Sequence, residues 1–183
     1  MQQSLALYQA IGEKAGIASA LSTLGWVSQA LGDEGAAQAL YEESLAMQRA
    51  VGQPLQIAVA LHYLANLARQ QGNGPLARSQ HQESLLLFRA LGEGYWLEQA
   101  LRTIALLLKQ ATRLVAAGRL LGAAEALRQT LGIPIPPREL ASYEQTVATL
   151  RTELGDEVFT TAWAAGRVMT LTQALDDALT EFE

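Results

Sequence analysis

The residue types that most often bind metals or carry catalysis are sparse in this sequence, and their spacing gives them no common site. The two histidines, His62 and His81, lie on different predicted helices, and neither has a second histidine or a clustered carboxylate at metal-ligand spacing. There is no cysteine, which excludes disulfides, thiolate metal sites and thiol catalysis. We therefore expect no metal and no cofactor, and we interpret both histidines as groove or packing residues.

The acidic pairs are also poor candidates for acid–base catalysis. Glu42-Glu43, Asp156-Glu157 and Asp176-Asp177 are adjacent in the chain, and neighbouring residues on a helix do not face each other. Neither a phosphate-binding loop of the G-x-x-x-x-G-K-[ST] type nor a G-x-S-x-G motif is present. The sequence favours solvated helix faces over active-site carboxylates, and we predict that the chain is not an enzyme.

Any functional side chains must be positioned by helices. Half of the residues are hydrophobic, mostly alanine and leucine, which are strong helix formers, and no segment alternates as a strand would. No stretch approaches the roughly 20 apolar residues of a membrane span, and the first residues lack the basic start of a signal peptide. We expect an all-α, cytoplasmic protein that does not bind membranes.

Charge is unevenly distributed along the chain, although the formal net charge is only −5. Residues 54–120 carry seven basic and three acidic side chains, whereas residues 1–53 and 121–183 are acidic. The middle region is too weakly basic to indicate direct nucleic-acid binding. It would instead favour an acidic protein partner.

The sequence repeats itself with a period of 40 residues, which is typical of repeat architectures. Each copy is predicted to form two helices, the first near 16–31, 55–71 and 95–111 and the second near 34–51, 75–91 and 114–131. Glycine follows most of them, as expected of a left-handed C-terminal position, and Asp33 and Asn73 suit helix N-caps. The matching positions include Ser4, Ser44 and Ser84; Gly12, Gly52 and Gly92; Leu21, Leu61 and Leu101; Leu24, Leu64 and Ile104; and Ala37, Ala77 and Ala117.

The two ends of the chain depart from the repeat. Ser4 corresponds to Ser44, which lies well inside a second helix, so we expect a short helix near 4–11 and a chain cut from a longer protein. After Gly132, prolines break the pattern, and helices are predicted near 138–154, from Asp156 to about 165, and near 171–182 with Thr170 as cap. We predict repeats over 1–132, the first truncated, and a helical capping segment over 133–183 that packs on them.

The leucines and small residues of each copy resemble the tetratricopeptide consensus, W-x2-L-G-x2-Y followed by A-x3-F. The first copy gives Leu21, Leu24 and Gly25 and, in its second helix, Ala37 and Tyr41. The consensus tyrosine and closing proline are not reproduced, and the period exceeds the usual length of about 34 residues. The resemblance implies a solenoid, a right-handed superhelical stack of antiparallel helix pairs that binds protein or peptide on its concave face.

The C-terminal third carries a second resemblance. The segments LLGAAEALRQTLG at 120–132, LGDEVF at 154–159 and AW at 162–163 are similar to the C-terminal regions of large bacterial signalling proteins. In those proteins a nucleotide-binding ATPase module precedes tetratricopeptide repeats, and they include LuxR-type, AfsR-type and adenylate-cyclase-linked regulators. This resemblance implies a scaffold or sensor role within a transcriptional or signalling regulator.

The repeat resemblance also implies which side chains line the concave groove. The set is polar, rich in amides and basic, which suits an acidic or amide-bearing segment of a partner or of the parent protein itself. Homo-oligomerisation, as in a dimer, and small-ligand sensing remain alternatives, and the same side chains could form a merely solvated face. The implied groove residues are Ser22, Trp26, Gln29, His62, Asn66, Arg69, Gln70, Arg102, Leu106 and Lys109.

Overall fold

The computed structural model describes the backbone of residues 2–181, and it leaves out the side chains of residues 2, 4 and 138. Within this range the chain forms ten α-helices and no strand, which confirms the predicted all-α class. The first five helices are α1 Gln2–Ile11, α2 Lys14–Ala30, α3 Glu34–Val51, α4 Pro54–Gln70 and α5 Gly74–Leu91. The last five are α6 Gly94–Gln110, α7 Leu114–Leu131, α8 Pro137–Leu154, α9 Asp156–Arg167 and α10 Leu171–Thr180.

The helix boundaries of the three copies are confirmed to within two residues, because each turn is specified locally. Between α2 and α3, Gly32 has a φ of 83°, and the Asp33 carboxylate accepts a hydrogen bond from the Ala36 N–H at 3.0 Å. Asn73 caps α5 in the same way, through the Leu76 N–H at 3.3 Å. A left-handed residue followed by an N-cap therefore reverses the chain within three residues.

In the C-terminal segment one predicted cap is confirmed and one is wrong. Thr170 caps α10, and the Gln173 side-chain oxygen accepts a hydrogen bond from the Thr170 N–H, which completes a capping box. Asp156 is not a cap, because Gly155 takes that position with a φ of 80°. Asp156 is instead the first residue of α9, where its negative charge interacts favourably with the positive end of the helix dipole.

The chain divides into two compact units, unit 1 over Met1–Leu91 and unit 2 over Gly92–Glu183. In unit 1 each helix packs against the next one in sequence, and α2 also touches α4. The two units are defined by the compactness of the fold, whereas the boundary expected at residue 132 is the point at which the sequence repeat ends. The core of unit 1 consists of Ala37, Tyr41, Leu45, Ala60, Leu61, Leu64 and Leu67, with Trp26, Ile57, Tyr63 and Leu87 packed against it.

In unit 2 the central helix is α7, which packs on α6, α8, α9 and α10. Its contact with α9 is close, because glycines allow the two backbones to approach each other. A Cβ atom on Gly166 would overlap the carbonyl oxygen of Arg119, and one on Gly122 would overlap that of Trp163. Phe159, on α9, is buried against Trp163, with ring centroids 5.4 Å apart.

Among the helices described over residues 2–181, none is long and apolar enough to cross a membrane.

Candidate binding site

Two of the expected groove residues meet between the first helices of successive copies. The Gln29 amide nitrogen, on α2, donates to the Gln70 amide oxygen, on α4, at 2.8 Å. The Gln29 oxygen in turn accepts a hydrogen bond from the Tyr41 hydroxyl at 3.0 Å. Tyr41 is fully buried in α3 and stacks on Tyr63 at a centroid distance of 5.2 Å. Buried Tyr41, stacked on the half-buried Tyr63, thus fixes the orientation of a surface amide pair.

The hydroxyl of Tyr41 stays protonated in this arrangement. Burial, and secondarily the neighbouring Tyr63, raise the pKa of Tyr41 above its usual range. It therefore acts as a donor toward Gln29 across the whole physiological pH range. Since the Gln29 oxygen accepts the hydrogen bond from this hydroxyl, the nitrogen of the same amide is directed to Gln70.

Arg69 is the basic residue beside this amide pair. It lies one position before Gln70 on α4, is half-buried, and makes no hydrogen bond or ion pair with any side chain that the structure describes. Burial lowers the pKa of Arg69, yet an arginine remains charged at neutral pH. A half-buried cation with unused donors is able to receive a carboxylate or a carbonyl oxygen.

Asn66 and Trp26 complete the surface. Asn66 is half-buried one turn before Arg69 on α4, and its amide hydrogen-bonds the His62 ring nitrogen Nε2 at 3.0 Å. Trp26 lies one turn before Gln29 on α2, half-buried against the core of unit 1. We call the set Trp26, Gln29, Asn66, Arg69 and Gln70 the α2–α4 surface.

Two other expected groove residues of unit 1 are engaged inside the protein. His62 is only 4% exposed, and its ring lies edge-on to Phe88 of α5 at 6.3 Å. Ser22 shares a hydrogen bond with the Ser44 hydroxyl at 2.8 Å, and Ser44 donates to the Ala18 carbonyl at 2.7 Å. Both side chains therefore hold first and second helices together.

The three remaining expected residues lie on α6 in unit 2. Arg102 is mostly buried and forms ion pairs with Glu98 at 3.4 Å and with Glu139 of α8 at 3.0 Å. Its charge joins α6 to α8, so this arginine is already neutralised. Leu106 and Lys109 are half-buried farther along α6.

Arg102 belongs to a polar cluster between α6, α7 and α8. Burial raises the pKa of Glu98, against the opposing pull of Arg102 and Arg128. Hydrogen bonding to Glu125 raises the pKa of Arg128, and the Tyr143 hydroxyl donates to the same Glu125 carboxylate at 3.2 Å. The cluster is a structural connection rather than an open site, since acidic and basic groups satisfy each other.

Unit 2 also has an open apolar cavity of about 340 Å³ between α7 and α9. Its basic wall residue, Arg119, already binds the Asp177 carboxylate through two hydrogen bonds of 2.8 Å, and Glu181 lies at 3.2 Å. Arg119 is therefore not available to orient an anionic ligand in the cavity. Its walls are formed by Val115, Arg119, Glu157, Val158, Thr161, Ala162 and Ala165.

Sequence reasoning missed the residues that support the α2–α4 surface. Tyr41 and Tyr63 position Gln29, and His81 of α5 lies against His62 with ring centroids 5.7 Å apart. The repeat contained a usable signal, because His81 aligns with the consensus aromatic position that Tyr41 occupies in the first copy. Burial at that position follows from the alignment, whereas the Tyr41–Gln29–Gln70 connection does not.

In the described part of the chain, no group of three or more His, Cys, Asp or Glu side chains is arranged to hold a metal ion. A scan against protein-family models finds no match, and a search of curated proteins finds no significant match. Inferences about function therefore depend on the sequence pattern and on the geometry of the α2–α4 surface.

Proposed function

We propose that this chain is a protein-interaction module of a bacterial signalling or transcriptional regulator, and that its α2–α4 surface binds an extended segment of a protein. In this proposal the helix pairs belong to a right-handed tetratricopeptide-type stack, and the surface lies on the concave side. The 40-residue repeat and the packing of each helix against the next within unit 1 support that architecture. The bound segment comes from a partner or from another part of the parent protein.

The observation that carries the proposal is the Gln29–Gln70 hydrogen bond, which joins first helices of two successive copies. Repeat proteins bind extended ligands with side chains contributed by neighbouring repeats. Here such side chains already meet, at 2.8 Å, and a buried tyrosine fixes their orientation. The amide pair is preorganised, so binding would require little additional ordering.

The chemistry of the surface favours a ligand rich in acceptors. The oxygen of the exposed Gln70 amide accepts a hydrogen bond from Gln29, which leaves the Gln70 NH2 group as a donor. Arg69 adds guanidinium donors, and a carboxylate would compensate its partly desolvated charge. Trp26 provides an adjacent half-buried aromatic ring, a residue type common at binding hot spots. An extended peptide with an acidic side chain offers the matching carbonyl and carboxylate oxygens.

Substituting Arg69 tests the proposal. Peptides selected from a random displayed library on the intact chain should bind the Arg69→Ala variant about 10- to 100-fold more weakly. This range corresponds to the loss of a hydrogen bond to a charged group, about 1.5–3 kcal/mol. Isothermal titration calorimetry with one selected peptide gives the ratio of dissociation constants.

Arg78→Ala is the matched control, because Arg78 is an exposed arginine of α5 outside the α2–α4 surface. It removes the same charge and should leave affinity within about twofold. Equal affinity of wild type and Arg69→Ala for every selected peptide would reject the α2–α4 surface as the binding site.

A further inference from the structure

His81 is a fully buried ionisable side chain of unit 1. It lies in the middle of α5 with no exposed surface, and neither ring nitrogen has a hydrogen-bond partner among the residues that the structure describes. Buried polar groups are usually hydrogen-bonded, so a site of this kind calls for an explanation. A neutral imidazole can be accommodated there as a packed ring, whereas an imidazolium would present two N–H donors without acceptors.

The groups around His81 would not stabilise a positive charge on its imidazole ring. The His62 ring of α4 lies 5.7 Å away, and Arg69 of the same helix adds a cation. No carboxylate contributes to the electrostatic environment of His81. The charged side chains on the rest of α5 and on α3 opposite it are exposed, and Glu83 is already paired with Arg49 at 2.8 Å. These exposed residues are Glu34, Glu42, Glu43 and Arg49 on α3, and Arg78, Glu83 and Arg89 on α5.

We propose that the α4–α5 pair is an acid-sensitive device: mild acidification protonates His81, loosens α5 from α4, and thereby disorders the part of the α2–α4 surface that α4 supplies. The connection is short. His81 touches His62, His62 is hydrogen-bonded to Asn66, and Arg69 lies on the same face of α4 one turn farther along. The inference concerns stability and holds whether or not a peptide binds.

The direction of the pH effect follows from the two states. Burial, and then the charges of His62 and Arg69, hold the pKa of His81 well below its usual range in the folded protein. In the open or unfolded state the pKa returns to about 6.5. Below that value the open state binds a proton that the folded state does not, so stability falls as the pH falls. Above about pH 7.5 both states are neutral and His81 has no effect.

The repeat indicates that the fold does not require histidine at this position. At the 40-residue offset, His81 corresponds to Tyr41 in the first copy and to Leu121 in the third, and all three side chains are buried. Tyrosine and leucine stay uncharged across the relevant pH range. Replacing His81 by either residue therefore removes the proton-binding group while keeping a side chain that this scaffold already accepts.

Hydrogen exchange on the full chain, corrected for the intrinsic pH dependence of amide exchange, measures the opening. Between pH 7.5 and 5.5 the equilibrium constant for opening of α4 and α5 should rise about tenfold in wild type, as expected for one proton. His81→Leu should flatten that rise. Helices α6–α10 provide an internal control, because both histidines of the chain lie in unit 1.

Two results would overturn the proposal. One is an unchanged opening equilibrium of α4 and α5 in wild type between these pH values. The other is an equally steep rise in His81→Leu. His81→Tyr repeats the comparison if the leucine variant folds poorly, and an NMR titration of wild type is independent of both variants. A folded-state pKa of His81 at or above 6.5 would also contradict the proposal.

Discussion

Thr112 occupies a backbone position at which the two earlier copies have glycine. Its φ is 60°, and the corresponding Gly32 and Gly72 have φ values of 83° and 76°. The chain therefore keeps the same left-handed turn in all three copies, although threonine is β-branched and disfavours it. The turn is imposed by the packing of α6 on α7, and Thr112 is strained as a result.

Thr112→Gly should stabilise unit 2. Removing the Cβ relieves a left-handed conformation that costs about 1–2 kcal/mol in an L-residue, and part of this gain is offset by the extra freedom of glycine in the unfolded chain. We expect the free energy of unfolding to rise by about 1 kcal/mol. Urea denaturation followed by circular dichroism measures the change.

The reverse exchange in the second copy is the control. Gly72→Thr places threonine at a φ of 76° and should lower the free energy of unfolding by about 1 kcal/mol. If Thr112→Gly destabilised the protein, the threonine side chain would have to contribute packing that outweighs its backbone strain.

Local features of single residues could be predicted from the sequence, and distant partnerships could not. Asp33, Asn73 and Thr170 were identified as caps because a cap acts within three residues of itself. Asp156 was not placed correctly, since Gly155 could also take the cap. The ion pair between Arg102 and Glu139 joins residues of two helices, and no local pattern specifies it.

Helices α7 and α9 approach more closely than larger residues would permit. Gly166 faces the backbone of α7 at Arg119, and Gly122 faces the backbone of α9 at Trp163. Because glycine has no side chain, the two backbones pack directly against each other where the helices cross, and less hydrophobic side-chain surface is buried there. The register of the two helices is fixed by these glycines.

Gly166→Ala should destabilise unit 2 by about 3 kcal/mol, at the upper end for overpacking, because the clash is with backbone that cannot rotate away. Thermal unfolding monitored by circular dichroism, together with urea denaturation, would detect the loss.

Gly118→Ala on α7 is the matched control. A Cβ there would lie 3.6 Å from the Ala162 Cβ, an ordinary contact, and alanine is the better helix former by about 1 kcal/mol. This variant should be neutral or stabilising. Equal destabilisation by both substitutions would mean that the α7–α9 contact tolerates no added volume anywhere, contrary to the geometry.

The boundaries of the helices were predictable because periodicity and turn residues mark them along the chain. Which helices pack against each other was harder to predict. α8 directly follows α7 in sequence, yet α7 packs more extensively against α9 than against α8. The sequence segment AW at 162–163 and the glycines at 122 and 166 are compatible with that pairing, but only the structure brings them together.

At the scale of the whole molecule, ion pairs within unit 2 account for much of the uneven charge. Arg102 of α6 pairs with Glu139 of α8, and Arg119 of α7 pairs with Asp177 of α10. Arg113, in the turn between α6 and α7, pairs with Glu181, which follows α10. The acidic C-terminal third and part of the basic middle region thus neutralise each other. Of the two arginines expected in the groove, Arg102 is therefore neutralised and Arg69 in unit 1 is the one available to an acidic partner.

The sequence could therefore indicate only part of the candidate binding site. The register of the repeat placed Gln29, Asn66, Arg69 and Gln70 on first-helix faces, and the structure brings Gln29 and Gln70 into contact. The register assigned Arg102 in the same way, but an acidic residue 37 positions later pairs with it. Only three-dimensional packing distinguishes an available arginine from a neutralised one.

The most direct test is the footprint of a bound peptide on the isotopically labelled chain, mapped by NMR. Titration with a library-selected acidic peptide should shift the side-chain amide signals of Gln29, Asn66 and Gln70 and the indole signal of Trp26. These groups should respond at the same peptide concentration, because they belong to one surface. Shifts confined to unit 2, for instance around the cavity between α7 and α9, would contradict the proposed interaction site.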